Sequence, residues 1–233
     1  MTATSTTGTS EVTSTRGGRQ QLGPPLLAPA IAYGVFMLAS VLLAGSAPRS
    51  TDSATHILDY LRAHVGLTEF VGFLQIAAAI PLAIWAATIY RRLRQLGVTA
   101  PGTAIGFAGG VLAAGAMTLL GVLTWSSAAA ATAIDAPVAA LVANLQFITG
   151  TAAFIPALGL LIAGVAVPSF FMRFGPRPFV IFAWVVAAVS LIAVFAMLTP
   201  ALDFTLPIGR FGGLIAILVF SVVLPKQRSP RQR

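Results

Sequence analysis

The chain has no cysteine and a single lysine, Lys226. The missing thiols exclude disulfides, thiolate nucleophiles and cysteine-held zinc or iron–sulfur centres. Charge is scarce: 9% of the residues are Asp, Glu, Lys or Arg, where a soluble domain carries about a quarter. A surface so poor in charge has to face lipid. Histidine is reduced to His56 and His64, neither of them within an apolar run. Haem is usually held by a histidine among the helices, so a transmembrane cytochrome is not expected. Retinal needs a lysine within the membrane, and Lys226 lies beyond the last apolar run. A Gly-Lys-Ser/Thr phosphate loop and a Gly-x-Ser-x-Gly nucleophile elbow are both missing. No cofactor and no catalytic residue are expected, and the chain reads as a non-enzyme.

What the chain does have is hydrophobicity: 57% of its 233 residues are apolar and the mean hydropathy is +0.91. The stretch from Leu67 to Gly97 orders the rest. Thr68 and Glu69 open it, an apolar run extends from Phe70 to Tyr90, and Arg91-Arg92-Leu93-Arg94 close it. About twenty apolar residues at 1.5 Å each span the roughly 30 Å of a bilayer's hydrocarbon core. Clustered arginines mark the cytoplasmic side, so this helix runs from outside to inside.

The same reading places spans at about 26–47, 68–90, 102–125, 138–167, 179–199 and 208–224. Arg16, Arg19, Arg91, Arg92, Arg94, Arg173, Arg177, Lys226, Arg228, Arg231 and Arg233 then fall inside. Arg49, Arg62 and Arg210 fall outside, with Asp52, Asp59, Asp135 and Asp203. The expected fold is all-α: a polytopic integral membrane protein with six transmembrane helices in one bundle, N-in/C-in. Residues 1–23, rich in Thr, Ser and Gly, are expected to form a disordered cytoplasmic tail. Residues 24–225 are the transmembrane domain and 226–233 a basic cytoplasmic tail. Arginine in place of lysine, with much Ala, Gly and Val, suggests a GC-rich bacterial genome, hence a bacterial plasma (inner) membrane. The basic residues sit in loops and tails, which suits an anionic inner leaflet and gives no reason to expect nucleic acid.

Between Asp52 and Gly66, Ala54, Ile57, Leu58, Leu61 and Val65 recur at helical spacing, with Asp52, His56 and Asp59 on the opposite face. This predicts an amphipathic helix capped by Asp52 or Ser53, lying on the outer membrane surface. The polar face makes His56 and Asp59 weak metal candidates, although a solvated face explains them as well. In the third span Gly102, Gly106, Gly110, Ala114 and Thr118 repeat every four residues, a stripe for close helix packing. Pro81 and Pro156 are expected to kink their helices, and Trp85, Trp125, Trp184 and Tyr90 to anchor at the interfaces. Spans two and four both carry Leu-Gln (Leu74-Gln75, Leu145-Gln146) ahead of Ile-Pro (Ile80-Pro81, Ile155-Pro156), a weak sign of a parallel repeat.

Ser40, Gln75, Thr118, Asn144 and Gln146 fall at similar depth, roughly 10 Å below the outer interface at 1.5 Å per residue. A polar amide in hydrocarbon is costly without a partner, so these should face inward, either as glue between helices or as the lining of an outward-open pocket. Glu69 and Arg210 would stand at its mouth. The two readings of function follow: a plasma-membrane protein that binds or carries a small apolar or amphiphilic, lipid-like molecule, or a structural or accessory subunit of a larger membrane complex. The expected partners are membrane lipids and another membrane protein or a second copy of the chain.

Three local features go further. They are Leu58 to His64 ahead of a span, the exit Ile89-Tyr90-Arg91-Arg92-Leu93-Arg94, and the run Gly109-Gly110-Val111-Leu112-Ala113. Through them, residues 31–223 resemble uncharacterised multi-pass membrane proteins of actinobacterial type, grouped as a domain of unknown function. The resemblance implies about six helices and a plasma-membrane location, and no reaction.

Overall fold

A computed structural model describes residues 25–225, and both expected tails lie outside the described residues. Helices, turns and short connections account for all of these residues, with no strand among them. The elements are α1 (Leu27–Leu43), α2 (Ala54–Ala63), α3 (Val65–Gln95), α4 (Gly102–Ala129), α5 (Ala136–Ile148), α6 (Phe154–Phe171), α7 (Arg177–Ile192) and α8 (Thr205–Val223). A π-helical turn, Thr149–Ala153, joins α5 to α6 without a break, and a 3₁₀ turn, Ala193–Met197, prolongs α7.

Five of these stretches are long and apolar enough to cross a membrane: Val65–Gln95, Gly102–Ala129, Ala136–Phe171, Arg177–Met197 and Thr205–Val223. The chain is a multi-pass, membrane-embedded protein by that measure. The first expected span is represented by α1, apolar but only 17 residues long. At 1.5 Å per residue that is about 25 Å, short of a full hydrocarbon core.

Helix ends explain why two connections stay tight. Gly97 follows the last turn of α3 with φ 86°, the left-handed conformation that costs glycine least. Its N–H bonds to Arg94 O and that of Val98 to Leu93 O, both at 3.0 Å, while Val98 and Leu93 are buried against each other's neighbourhood. The same pair of bonds ends α6: Phe174 N–H donates to Ser169 O at 2.9 Å and Arg173 N–H to Phe170 O at 3.4 Å, with Arg173 at φ 56°. Here α6 runs through Pro168, which the sequence reading put at the start of a loop. The last turn still closes, by Met172 N–H on Pro168 O at 2.9 Å.

Packing centres on α3, α4 and α6, with α1 against α3 and α7 and α8 beside α6. The stripe on α4 is the reason these helices come close. A β-carbon on Gly106 would stand 2.9 Å from Gly164 Cα, and one on Gly110 would collide with Ala86. Ala114 is buried too. The stripe fails at its ends, since a β-carbon on Gly102 would meet nothing and Thr118 is exposed. Two further close approaches escaped it. Gly109 lies against Ala157 O, 2.8 Å from a built β-carbon, and Gly121 against Ile76 and Gly72 O.

Two expectations about surfaces are corrected. Trp85 is no interface anchor: it is 1% exposed, and its indole N–H donates to Ser221 Oγ at 2.7 Å. An indole can lie deep when its one polar atom has a partner. Trp125 and Trp184 are exposed, and Tyr90 is half-buried beside Phe107. The second correction concerns α2. It is capped by Ser53, which accepts from His56 N–H. Its apolar face does not lie open for a membrane. Ile57, Leu58 and Leu61 bury against Ala131 and Ala139, at the join of α4 and α5. Arg62 fastens it there, its Nε donating to Ala131 O at 3.0 Å.

Candidate functional site

The α2 end of the molecule is loosely filled. Three cavities open there and share walls. A middle chamber of about 160 Å³ lies beneath α2, between Leu43 and Pro48, Ile57 and Leu61, Val71 and Gln75, Leu120 and Thr124, and Ala143 and Gln146. An inner chamber of about 320 Å³ reaches further along α1, to Met37 and Ser40, and is closed by Met117 and Arg210. Ala44, Gln75 and Leu120 belong to both. An outer recess of about 660 Å³ carries Arg49 and Asp203 and meets the middle chamber at Pro48, Ala143 and Gln146.

The expected site residues separate at this point. Gln75 is half-buried on both chambers, and its Oε1 is buried with no partner among the described residues. Gln146 lines the middle chamber and the outer recess. Its Nε2 donates to Leu123 O at 3.2 Å and to Ser127 Oγ at 3.0 Å, so it also ties α5 to α4. Ser40 is buried on the inner chamber and bonds Met37 O at 2.8 Å.

Thr118 and Asn144, expected to face inward, are both exposed. Thr118 needs no inward partner, because its hydroxyl donates to Ala114 O of its own helix at 2.9 Å. Asn144 precedes Gln146 by two residues, about 200° around an α-helix, so the two cannot share a face. Glu69 is half-buried in the second turn of α3 and lines none of the three cavities. It does not reach Arg210 and does not stand at a common mouth with it.

Arg210 departs most from its expected position at an interface. α8 begins at Thr205, not near 208, so Arg210 lies about 8 Å along the helix, in its second turn. Pro207 lies within the first turn of α8, where a proline is tolerated because the N–H groups there have no intrahelical acceptor. The side chain does not rise to solvent. Its Nη2 donates to Gly150 O, its guanidinium lies 5.8 Å from the centre of the Phe154 ring, and its Nε has no partner among the described residues. Tyr33 of α1 is fully buried, with its hydroxyl unpartnered among the described residues.

The π turn makes this meeting possible. Within it the Phe154 N–H reaches back to Thr149 O, leaving Gly150 O without its α-helical donor. Pro156, two residues on, supplies no N–H of its own, and a widened turn is one way for a helix to absorb such a defect. Gly150 also makes room: a β-carbon there would lie 3.0 Å from Leu120 and 3.5 Å from Arg210 Nη2. The sequence signal for it is Thr149-Gly150-Thr151 five residues ahead of Pro156, the proline expected to kink this helix.

The polar face of α2 gathers little. His56 Nδ1 lies 3.8 Å from Asp52 Oδ2, which accepts from Arg49 N–H at 2.8 Å, and Asp59 is exposed nearby. Among the described residues no group of three or more His, Cys, Asp or Glu could hold a metal ion. What the α2 end offers is apolar walls with an amide, a hydroxyl and a guanidinium set into them. Compared with known protein families, curated proteins and solved structures, the chain matches none.

Proposed function

We propose that this is a non-enzymatic plasma-membrane protein that binds or carries a small apolar or amphiphilic molecule in the chambers at its α2 end. In this reading α1 joins the five longer stretches as a sixth span of one bundle, both termini are cytoplasmic, and the α2 end faces outward, as the arginine distribution suggests. The likeness to uncharacterised multi-pass membrane proteins of actinobacteria is kept as its family. The observation that supports the reading is the middle chamber, apolar on most sides, with Gln75 left unbonded on its wall. Ligand sites are concave, mainly apolar and furnished with few polar groups. The alternative, an accessory subunit, calls for a small-residue face left free for a partner. Gly106, Gly109 and Gly110 are instead occupied by α3 and α6, which favours the pocket.

The test is a blocked chamber. Ala143 is shared by the middle chamber and the outer recess. In nanodiscs, the wild type should bind dodecanol with a saturable isotherm, and Ala143→Trp should abolish it without lowering Tm. Equal binding by both proteins would refute the pocket.

A further inference from the structure

We propose that Arg210 is the seat of an anionic group, a carboxylate or a phosphate, carried by an amphiphile whose apolar part lies in the chamber beneath α2. This rests on the pocket reading above and names its ligand class.

A guanidinium within a membrane-spanning helix is expensive and normally finds a counter-charge or a water-filled cavity. Arg210 has the cavity and lacks the counter-charge. Among the described residues no carboxylate pairs with it: its contacts are one backbone carbonyl and the face of Phe154. One Nη2 bond to Gly150 leaves most of a five-donor fork to be satisfied. A carbonyl dipole offsets part of a full positive charge, and a bound anion would complete it with charge-assisted hydrogen bonds.

The surroundings suit a head group rather than a free ion. Gln75 brings a side-chain amide to the same inner chamber, and its Nε2 is a donor that an anion can use. Ala44, Gln75 and Leu120 line both the inner chamber and the apolar middle chamber, so the two lie side by side. A polar seat beside an adjoining apolar chamber matches a molecule with one charged end. Arginine suits the task because its planar fork meets two oxygens of one anion at once.

The experiment compares ligands of one tail length in nanodiscs of zwitterionic phospholipid: dodecanoate, dodecyl phosphate, dodecanol and acetate. The wild type should bind dodecanoate or dodecyl phosphate at least about tenfold more tightly than dodecanol, the worth of a charge-assisted bond. Arg210→Gln should erase that preference, and Arg210→Lys should keep part of it. Should Arg210→Gln fail to fold, the wild-type preference and the lysine variant decide the matter. Equal affinity of the wild type for dodecanoate, dodecyl phosphate and dodecanol would overturn the anion seat and leave the pocket standing. Acetate binding as tightly as dodecanoate would overturn the amphiphile in favour of a small free anion. Failure of all the dodecyl ligands would sink the pocket itself, and this proposal with it.

Discussion

The two halves of the molecule solve the same problem in opposite ways. In the half that carries the arginine-rich connections, α4 and α6 meet at Gly106 and Gly164 with almost nothing between their backbones, and Trp85 is sealed in by its bond to Ser221. In the α2 half chambers open, and Gln75 Oε1 and Arg210 Nε have no partners among the described residues. Buried polar groups are nearly always bonded. Two that are not, both on residues of a cavity wall, set this end apart from the packed one. The packed half supplies the rigidity, and the open half spends some of it on a site.

The two ends should differ first in accessibility, and the difference should be all or none. The protein has no native cysteine, so single cysteines report without background. Thr51→Cys and Thr132→Cys, both at exposed positions of the α2 end, should react with an impermeant thiol reagent in intact cells. Gln95→Cys, exposed at the other end, should not. Labelling at position 95 would reverse the proposed orientation. Ala131, next to Thr132, is a poor reporter because α2 covers it.

A larger side chain at the tight crossing comes next. Gly164→Leu would drive a side chain into the backbone of Gly106 and Gly102, which cannot rotate aside. It should cost about 3 kcal/mol by overpacking, seen as a lower Tm in detergent. An unchanged Tm would mean that the stripe does not hold α4 to α6.

The smallest effect separates glue from lining. Gln146→Leu removes two hydrogen bonds between α5 and α4 and should cost about 1 kcal/mol. Gln75→Leu removes no bond among the described residues and an unsatisfied oxygen, so its Tm should hold or rise slightly. Similar losses from both would show that Gln75 is structural as well.

The sequence by itself determined the membrane class, the five long apolar stretches, the cap of α2 and the middle of the small-residue stripe. These are local: run length, a capping residue or a four-residue repeat can be read along a single helix, because helical geometry is the same everywhere. It also picked out Gln75, Gln146 and Ser40, each of which lines one of the cavities. It could not tell which of the polar residues face inward. Rotation about the helix axis is set by neighbours, and a hydroxyl such as that of Thr118 can satisfy itself on its own backbone. Nor could it bring Arg210 to Gly150, 60 residues away. That meeting depends on where α8 starts, on a π turn that frees one carbonyl, and on a glycine small enough to admit the guanidinium. Each is a matter of how one helix lies against another, and only the tertiary structure decided it.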